Sequence, residues 1–157
     1  MKTRIATFLL LLACCAQTIV AQPVRDAVDT SVSEGVSFLL AQQRPDGSFV
    51  DKRGRDQHHT VMTALALMSM ASVGNLPSDQ TIEGESMRKA IDFLVREDRQ
   101  DSEGYFGRKD GSRMYGHGII TLALSEMLGM GVNKRQDGIV RQRCVKAVEL
   151  ILRSQRV

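Results

Sequence analysis

Internal repetition constrains this chain more than any other property. The stretch Phe38-Leu39-Leu40-Ala41-Gln42-Gln43-Arg44-Pro45-Asp46-Gly47-Ser48-Phe49 reads as a helix end, a tight turn and an aromatic ring returned against the helix. Phe93-Leu94 opens a second copy, which Gly104-Tyr105-Phe106 closes, and Leu150-Ile151-Leu152-Arg153-Ser154-Gln155 begins a third. Gly47 and Gly104, Phe49 and Phe106, and Leu65 and Leu122 are each separated by 57 residues. Phe38 and Phe93 are separated by 55, and Phe93 and Leu150 by 57, so the second loop holds two extra residues. A fixed period of this length specifies units that stack to share a core.

The segments between the turns alternate in character. Val28, Val32, Val36, Leu39 and Leu40 recur at helical spacing with polar residues between them, which predicts a helix with one buried face. Pro45 cannot continue it, and Arg44-Pro45-Asp46-Gly47 suits a type I turn leading to a solvated loop over 51–57. Val61-Met62-Thr63-Ala64-Leu65-Ala66-Leu67-Met68-Ser69-Met70-Ala71 is apolar or small nearly all round, which predicts a helix buried on all sides. Gly74-Asn75 and Pro77 end it. Met87, Ala90, Ile91, Leu94 and Val95 give a second one-faced helix with Arg88, Lys89, Asp92, Arg96 and Glu97 outward. Ile119 to Leu124 begins a second all-apolar helix, and Val140, Cys144, Ala147, Val148, Ile151 and Leu152 a third one-faced one. Alternation of this kind predicts an all-α fold in two layers, an α/α toroid present as an incomplete ring of about five helices.

The pattern Phe38-Leu39-x-x-x-Gln43-x-x-x-Gly47-x-Phe49 resembles the QW repeat of the prenyltransferase and squalene-oxidase repeat group, which includes terpene cyclases and the β subunits of protein prenyltransferases. That pattern is an aromatic–Leu pair, a Gln, then Gly-x-Trp. Phe49 and Phe106 stand here in place of Trp; Asp98 is read as replacing the Gln in the second copy, and Gln155 as restoring it in the third. The segment Met114-Tyr115-Gly116-His117-Gly118-Ile119-Ile120-Thr121-Leu122-Ala123-Leu124 also resembles inner helices of secreted bacterial members. The resemblance covers 26–157 and implies an α/α toroid. In physical terms Phe38, Gln43, Gly47, Phe49, Phe93, Gly104, Phe106 and Gln155 form a staple. The Gln bonds backbone at the helix end and at the next inner-helix start, the Gly permits the return, and the ring packs on the outer helix.

The resemblance also says where chemistry would sit. Cyclases of this kind use an Asp-rich DxDD-type acid, and Asp26-Ala27-Val28-Asp29 keeps only one of its spacings, at a position suited to capping a helix. Prenyltransferases bind zinc through Asp, Cys and His. The three His residues of this chain, His58, His59 and His117, show no metal-ligand spacing, and Cys144 falls on the apolar stripe of an outer helix, where a buried thiol is expected. No metal and no cofactor are therefore expected. Complement-type thioester domains share the toroid, but their Cys-Gly-Glu-Gln sequence is absent. Thr60 aligns with His117 at the repeat distance, which predicts a cavity rim at the inner-helix starts formed by His59, Tyr115 and His117. The expected function is a non-catalytic binding or scaffold module, for an unknown small hydrophobic ligand or protein partner. The alternative is a terpene cyclase or prenyltransferase-like enzyme whose catalytic residues lie beyond Val157. A closed ring of this family takes about six helix pairs, so the chain reads as an N-terminal fragment.

The first residues read as a targeting segment. Lys2 and Arg4 precede a short apolar run over 5–13, and Ile19-Val20-Ala21 offers a cleavage site, which predicts a signal peptide over 1–21 and a secreted or periplasmic protein. Leu11-Leu12-Ala13-Cys14 gives an alternative, a lipoprotein anchored through Cys14. No transmembrane helix is expected after signal removal. Loss of Lys2 and Arg4 takes the 21 basic groups to 19 against 18 acidic ones, a balance that gives no field to attract nucleic acid. The basic residues Lys134, Arg135, Arg141, Arg143 and Lys146 read as the solvated face of a helix.

Overall fold

The computed structural model describes residues 26–50, 57–108, 111–131 and 133–155. The signal segment, Cys14 and most of the loop over 51–57 lie outside the described residues. Among the described residues five helices follow one another: α1 (Ala27–Gln42), α2 (His59–Ser72), α3 (Ile82–Leu94), α4 (Arg113–Glu126) and α5 (Lys134–Ser154). Among the described residues there is no strand, so this part of the chain is all-helical. No helix among them is long and apolar enough to cross a membrane. By internal contacts the chain divides into Met1–Thr30 and Ser31–Val157.

In the first of these units, Asp26 caps α1. Its Oδ1 accepts from the Asp29 N–H at 2.8 Å, and its carbonyl accepts from the Thr30 hydroxyl.

The second unit holds the core. α2 packs against α3 and α4, and α4 also packs against α5. Leu67, Met70, Met87, Ile91, Leu94, Ile120, Leu124 and Met127 fill the space between them and are buried. α3 starts where Thr81 Oγ1 accepts from the Gly84 N–H, with Glu83 and Glu85 in the first turn favouring the positive helix end. α5 starts likewise at Asn133, whose Oδ1 accepts from the Gln136 N–H at 2.9 Å. Arg88 fixes the α2–α3 connection by donating to the carbonyls of Pro77 and Asp79. The outer helices are cross-tied by Gln136 Nε2 to Asp92 Oδ1 at 2.7 Å and by Arg143 Nε to the Val95 carbonyl at 3.1 Å.

The repeat distance holds for burial on the inner helices. Thr60, Thr63, Ala64, Ala66, Leu67 and Met70 of α2 are buried, and so are the residues 57 positions later: His117, Ile120, Thr121, Ala123, Leu124 and Met127. Neither helix is buried on all sides, contrary to what its composition predicts. Leu65 and its counterpart Leu122 are exposed, beside Ser69 on α2 and Ser125 on α4. Apolar residues all round a helix supply more burial surface than its described neighbours cover, and the surplus forms an open stripe on each.

α3 and α5 follow the repeat only in part: Met87 and Ala90 and the residues 57 positions later, Cys144 and Ala147, are all buried, but the next turn differs. Ile91 of α3 and Val95 just after it are buried, whereas Val148 and Leu152, the residues 57 positions later on α5, are exposed. α1 buries none of its residues, although Leu39 and Leu40 pack partly against the core. Phe93 is 2% exposed and Phe38 is 57% exposed. The Arg99 guanidinium sits 4.3 Å from the Phe93 centroid, with Arg96 at 5.7 Å.

Candidate functional site

The turn after α1 is built by its own backbone and by one side chain. Gly47 N–H donates to the Arg44 carbonyl and Arg44 N–H to the Ser48 carbonyl, both at 2.9 Å. Gly47 has φ +89°, and a Cβ there would collide with the Lys89 carbonyl of α3, so only glycine lets the turn lie this close. Asp46 Oδ1 accepts from both the amide and the hydroxyl of Ser48. Burial pushes the Asp46 carboxyl up, but those two hydrogen bonds, with Arg96 and Arg44 beyond them, outweigh it and hold the group below its usual range. Gln43 then closes the joint: Nε2 donates to the Gly47 carbonyl at 3.1 Å and to the Ser86 carbonyl at 2.8 Å.

The second turn repeats these bonds at the same distance along the chain. Gly104 N–H donates to the Asp101 carbonyl and Asp101 N–H to the Tyr105 carbonyl. Gly104 has φ +93°, and a Cβ there would meet the Lys146 carbonyl of α5. The closing side chain is Gln100, whose Nε2 donates to the Gly104 carbonyl at 3.0 Å and the Arg143 carbonyl at 2.9 Å. Gln100 therefore holds the position assigned from sequence to Asp98, which instead pairs with Arg96 on the surface. The two extra residues precede the Gln, not the Gly. The second acceptor also differs from expectation: it lies on the next outer helix, not at the start of the next inner one. Gln155, read as the third copy of this residue, is exposed at the end of α5.

The aromatic closure differs between the copies. Phe49 is buried, and its N–H donates to Thr63 Oγ1 at 2.9 Å, while that hydroxyl donates to the His59 carbonyl. Phe106 is also buried, and its N–H donates to His117 Nδ1 at 3.3 Å. His117 Nε2 lies 3.2 Å from the Ala147 carbonyl. An amide can only donate and a carbonyl can only accept, so the ring is neutral with its proton on Nε2. Burial pushes the His117 pKa below its ordinary value; the Ala147 bond and the Asp101 charge oppose this less strongly. Tyr105 and Phe106 enclose the ring, with centroids 5.4 Å and 6.1 Å away. His117 thus joins the second turn, α4 and α5.

Of the rim residues expected from sequence, His117 is fully buried in this joint, Tyr115 is 88% exposed and His59 is half-buried. Two residues apart on one helix, Tyr115 and His117 point into different surroundings. Both inner helices are entered through a left-handed residue, His58 (φ 71°) and Arg113 (φ 55°). Cys144 is buried, and burial pushes its thiol up to about 11. Among the described residues no three His, Cys, Asp or Glu side chains are grouped to hold a metal ion.

Two concave surfaces accompany the open stripes. A groove of about 350 Å³ lies between the end of α1 and α2, against Phe38, Leu39, Phe49 and Met62. A larger one, about 710 Å³, lies between the C-terminal ends of α2 and α4, with Leu65, Met68, Met127 and Met130 as its apolar wall and Ser69, Ser72 and Glu126 as its polar groups. Sequence reasoning did not find it, because it is formed where two helices of the same register end side by side.

No protein-family model, curated protein or solved structure matches this chain.

Proposed function

We propose that this chain is part of a secreted α/α-toroid repeat protein, similar to the squalene cyclase and prenyltransferase repeats, that serves as a binding or scaffold module. The observation that carries the reading is the recurrence of one joint: Gln43 and Gln100 make the same pair of bonds, 57 residues apart, each tying a turn to the next outer helix. A joint that links unit to unit is what a stack of helix pairs requires. The exposed Val148 and Leu152 of α5 support further stacking, because their counterparts on α3 are covered. Export is supported by Lys2, Arg4 and the apolar run that follows them.

A binding role is favoured over chemistry by the state of the reactive groups. His117 is neutral and has both nitrogens committed to backbone, and Cys144 has its thiol pushed up to about 11. Neither is poised as an acid, base or nucleophile. The groove between α2 and α4 is a concave surface large enough for a small ligand.

An experimental structure of the protein purified from the medium of its own host tests this reading. Inner and outer helices alternating around a curved double layer are expected. Helix pairs stacked in a straight array, or a chain retained in the cytoplasm, would overturn it.

A further inference from the structure

Among the described residues, the side chains lining the groove between the ends of α2 and α4 offer hydrogen-bond acceptors and no free donors. Ser69 Oγ already donates to the Leu65 carbonyl and Ser72 Oγ to the Ser69 carbonyl, both at 2.8 Å, so each hydroxyl has only lone pairs left to offer. Glu126 is exposed, and among the described residues it forms no ion pair. Among the described residues that line the groove, none is Lys, Arg or His. The surroundings carry the same sign: α2 ends at Ser72 and α4 at Glu126, so two helix C-termini, each with partial negative charge, meet at this place. Below these groups lies an apolar wall in which Met68, Met127 and Met130 supply unbranched, adaptable side chains.

We propose that this groove binds a small amphiphile with a cationic, hydrogen-bond-donating head, an alkylammonium compound being the simplest case. The tail lies along Leu65 and the methionines, and the ammonium sits at Glu126 with the Ser69 and Ser72 oxygens within its range. An anionic amphiphile meets only acceptors and negative helix ends there. A neutral alcohol keeps the tail contacts and loses the charge term. This deepens the binding reading above and rests on it.

The test uses one tail with three heads: n-octylammonium, 1-octanol and octanoate, titrated calorimetrically into the purified mature chain. Octylammonium is expected to bind more tightly than octanol by about two- to fivefold at low salt, the range of an exposed charge pair, and octanoate more weakly than either. Added salt is expected to shrink the gap. Glu126→Gln is expected to bring octylammonium to the octanol level, and Ser72→Tyr to block all three while leaving the unfolding transition in place. Equal binding of the three heads overturns the cation preference but leaves the binding module standing. Binding that Ser72→Tyr does not alter overturns the assignment to this groove. Absence of binding by all three overturns the proposal, and the helical arrangement is then judged by its own structural test.

Discussion

Gln43 and Gln100 place the same side-chain nitrogen between the same two kinds of acceptor: the carbonyl of the glycine four residues on, and a carbonyl 43 residues on. Each joins a turn to the following outer helix. The two sites differ in solvent access, since Gln100 is 5% exposed and Gln43 is half-buried.

That difference predicts unequal costs of truncation. Gln100→Ala leaves the Gly104 and Arg143 carbonyls without this donor in a buried place, and is expected to lower stability by about 2–3 kcal/mol. Gln43→Ala, where water can substitute, is expected to cost about 1 kcal/mol. Urea unfolding of the two variants measures both, and equal midpoints would contradict the assignment of Gln100.

The glycines of the two turns admit no side chain. Gly104→Ala combines a positive φ with a collision against the Lys146 carbonyl, and a loss of about 2–4 kcal/mol is expected. Gly74 also has a positive φ but nothing lies near its missing Cβ, so Gly74→Ala is expected to cost only about 1 kcal/mol. Thermal unfolding of the pair separates backbone strain from close approach.

His117 makes stability depend on pH. Its pKa is lowered from the ordinary value of 6.5, so on the acid side of that value the unfolded chain binds more protons than the folded one. The stabilisation is therefore complete above 6.5 and is lost as the pH falls through the folded-state value. Asp46, also lowered, acts in a separate window: its contribution is complete above 3.8 and fades only as the pH drops further. His117→Gln retains a donor and an acceptor but cannot titrate. Unfolding free energies measured at several pH values should show the slope below 6.5 in the parent and a flatter profile in the variant.

Cys144 is expected to be inert in the folded chain. Its thiol is buried and pushed up to about 11, so alkylation by iodoacetamide at neutral pH should proceed only as fast as the structure opens. Labelling followed by mass spectrometry, with and without denaturant, checks this. Prompt labelling of the native protein would contradict the burial.

α5 behaves differently from α3. Ile91→Ala removes side chain from a filled core and is expected to cost about 2–4 kcal/mol. Val148→Ala, at the equivalent but exposed place, is expected to change stability by less than about 0.5 kcal/mol. A large cost at Val148 would show that another surface covers α5.

Much of this was legible in the chain. Helical spacing of Met87, Ala90, Ile91 and Leu94 placed α3 and its buried face, and the apolar stripe through Cys144 placed that thiol inside. Asp26 was legible as a cap from its position before an apolar-periodic segment. The partner of Gln43 was not. Anchoring the second copy on Phe93 leads to Asp98, whereas anchoring it on Gly104 leads to Gln100, and spacing alone does not say on which side of the Gln two extra residues fall. Only the carbonyls at Gly104 and Arg143 decide it. His117 was placed on a rim because it starts an inner helix. Its register with Thr60 was visible, but the burial of His117 depends on how α4 meets α5 and the second turn. The open stripe at Leu65 and Leu122 was hidden for a related reason: composition states how much surface a helix could bury, not how much its neighbours cover.

The joint made by each Gln touches the following helix only through main-chain oxygen. Ser86 and Arg143 share neither size nor charge, yet they serve as the same acceptor. A coupling that reads carbonyls places no demand of its own on the side chains of the residues that supply them, so outward-facing positions of successive units can differ while their mechanical fit persists. Such a chain can lengthen by duplication and then change its outward chemistry one unit at a time, without redesigning how one unit grips the next.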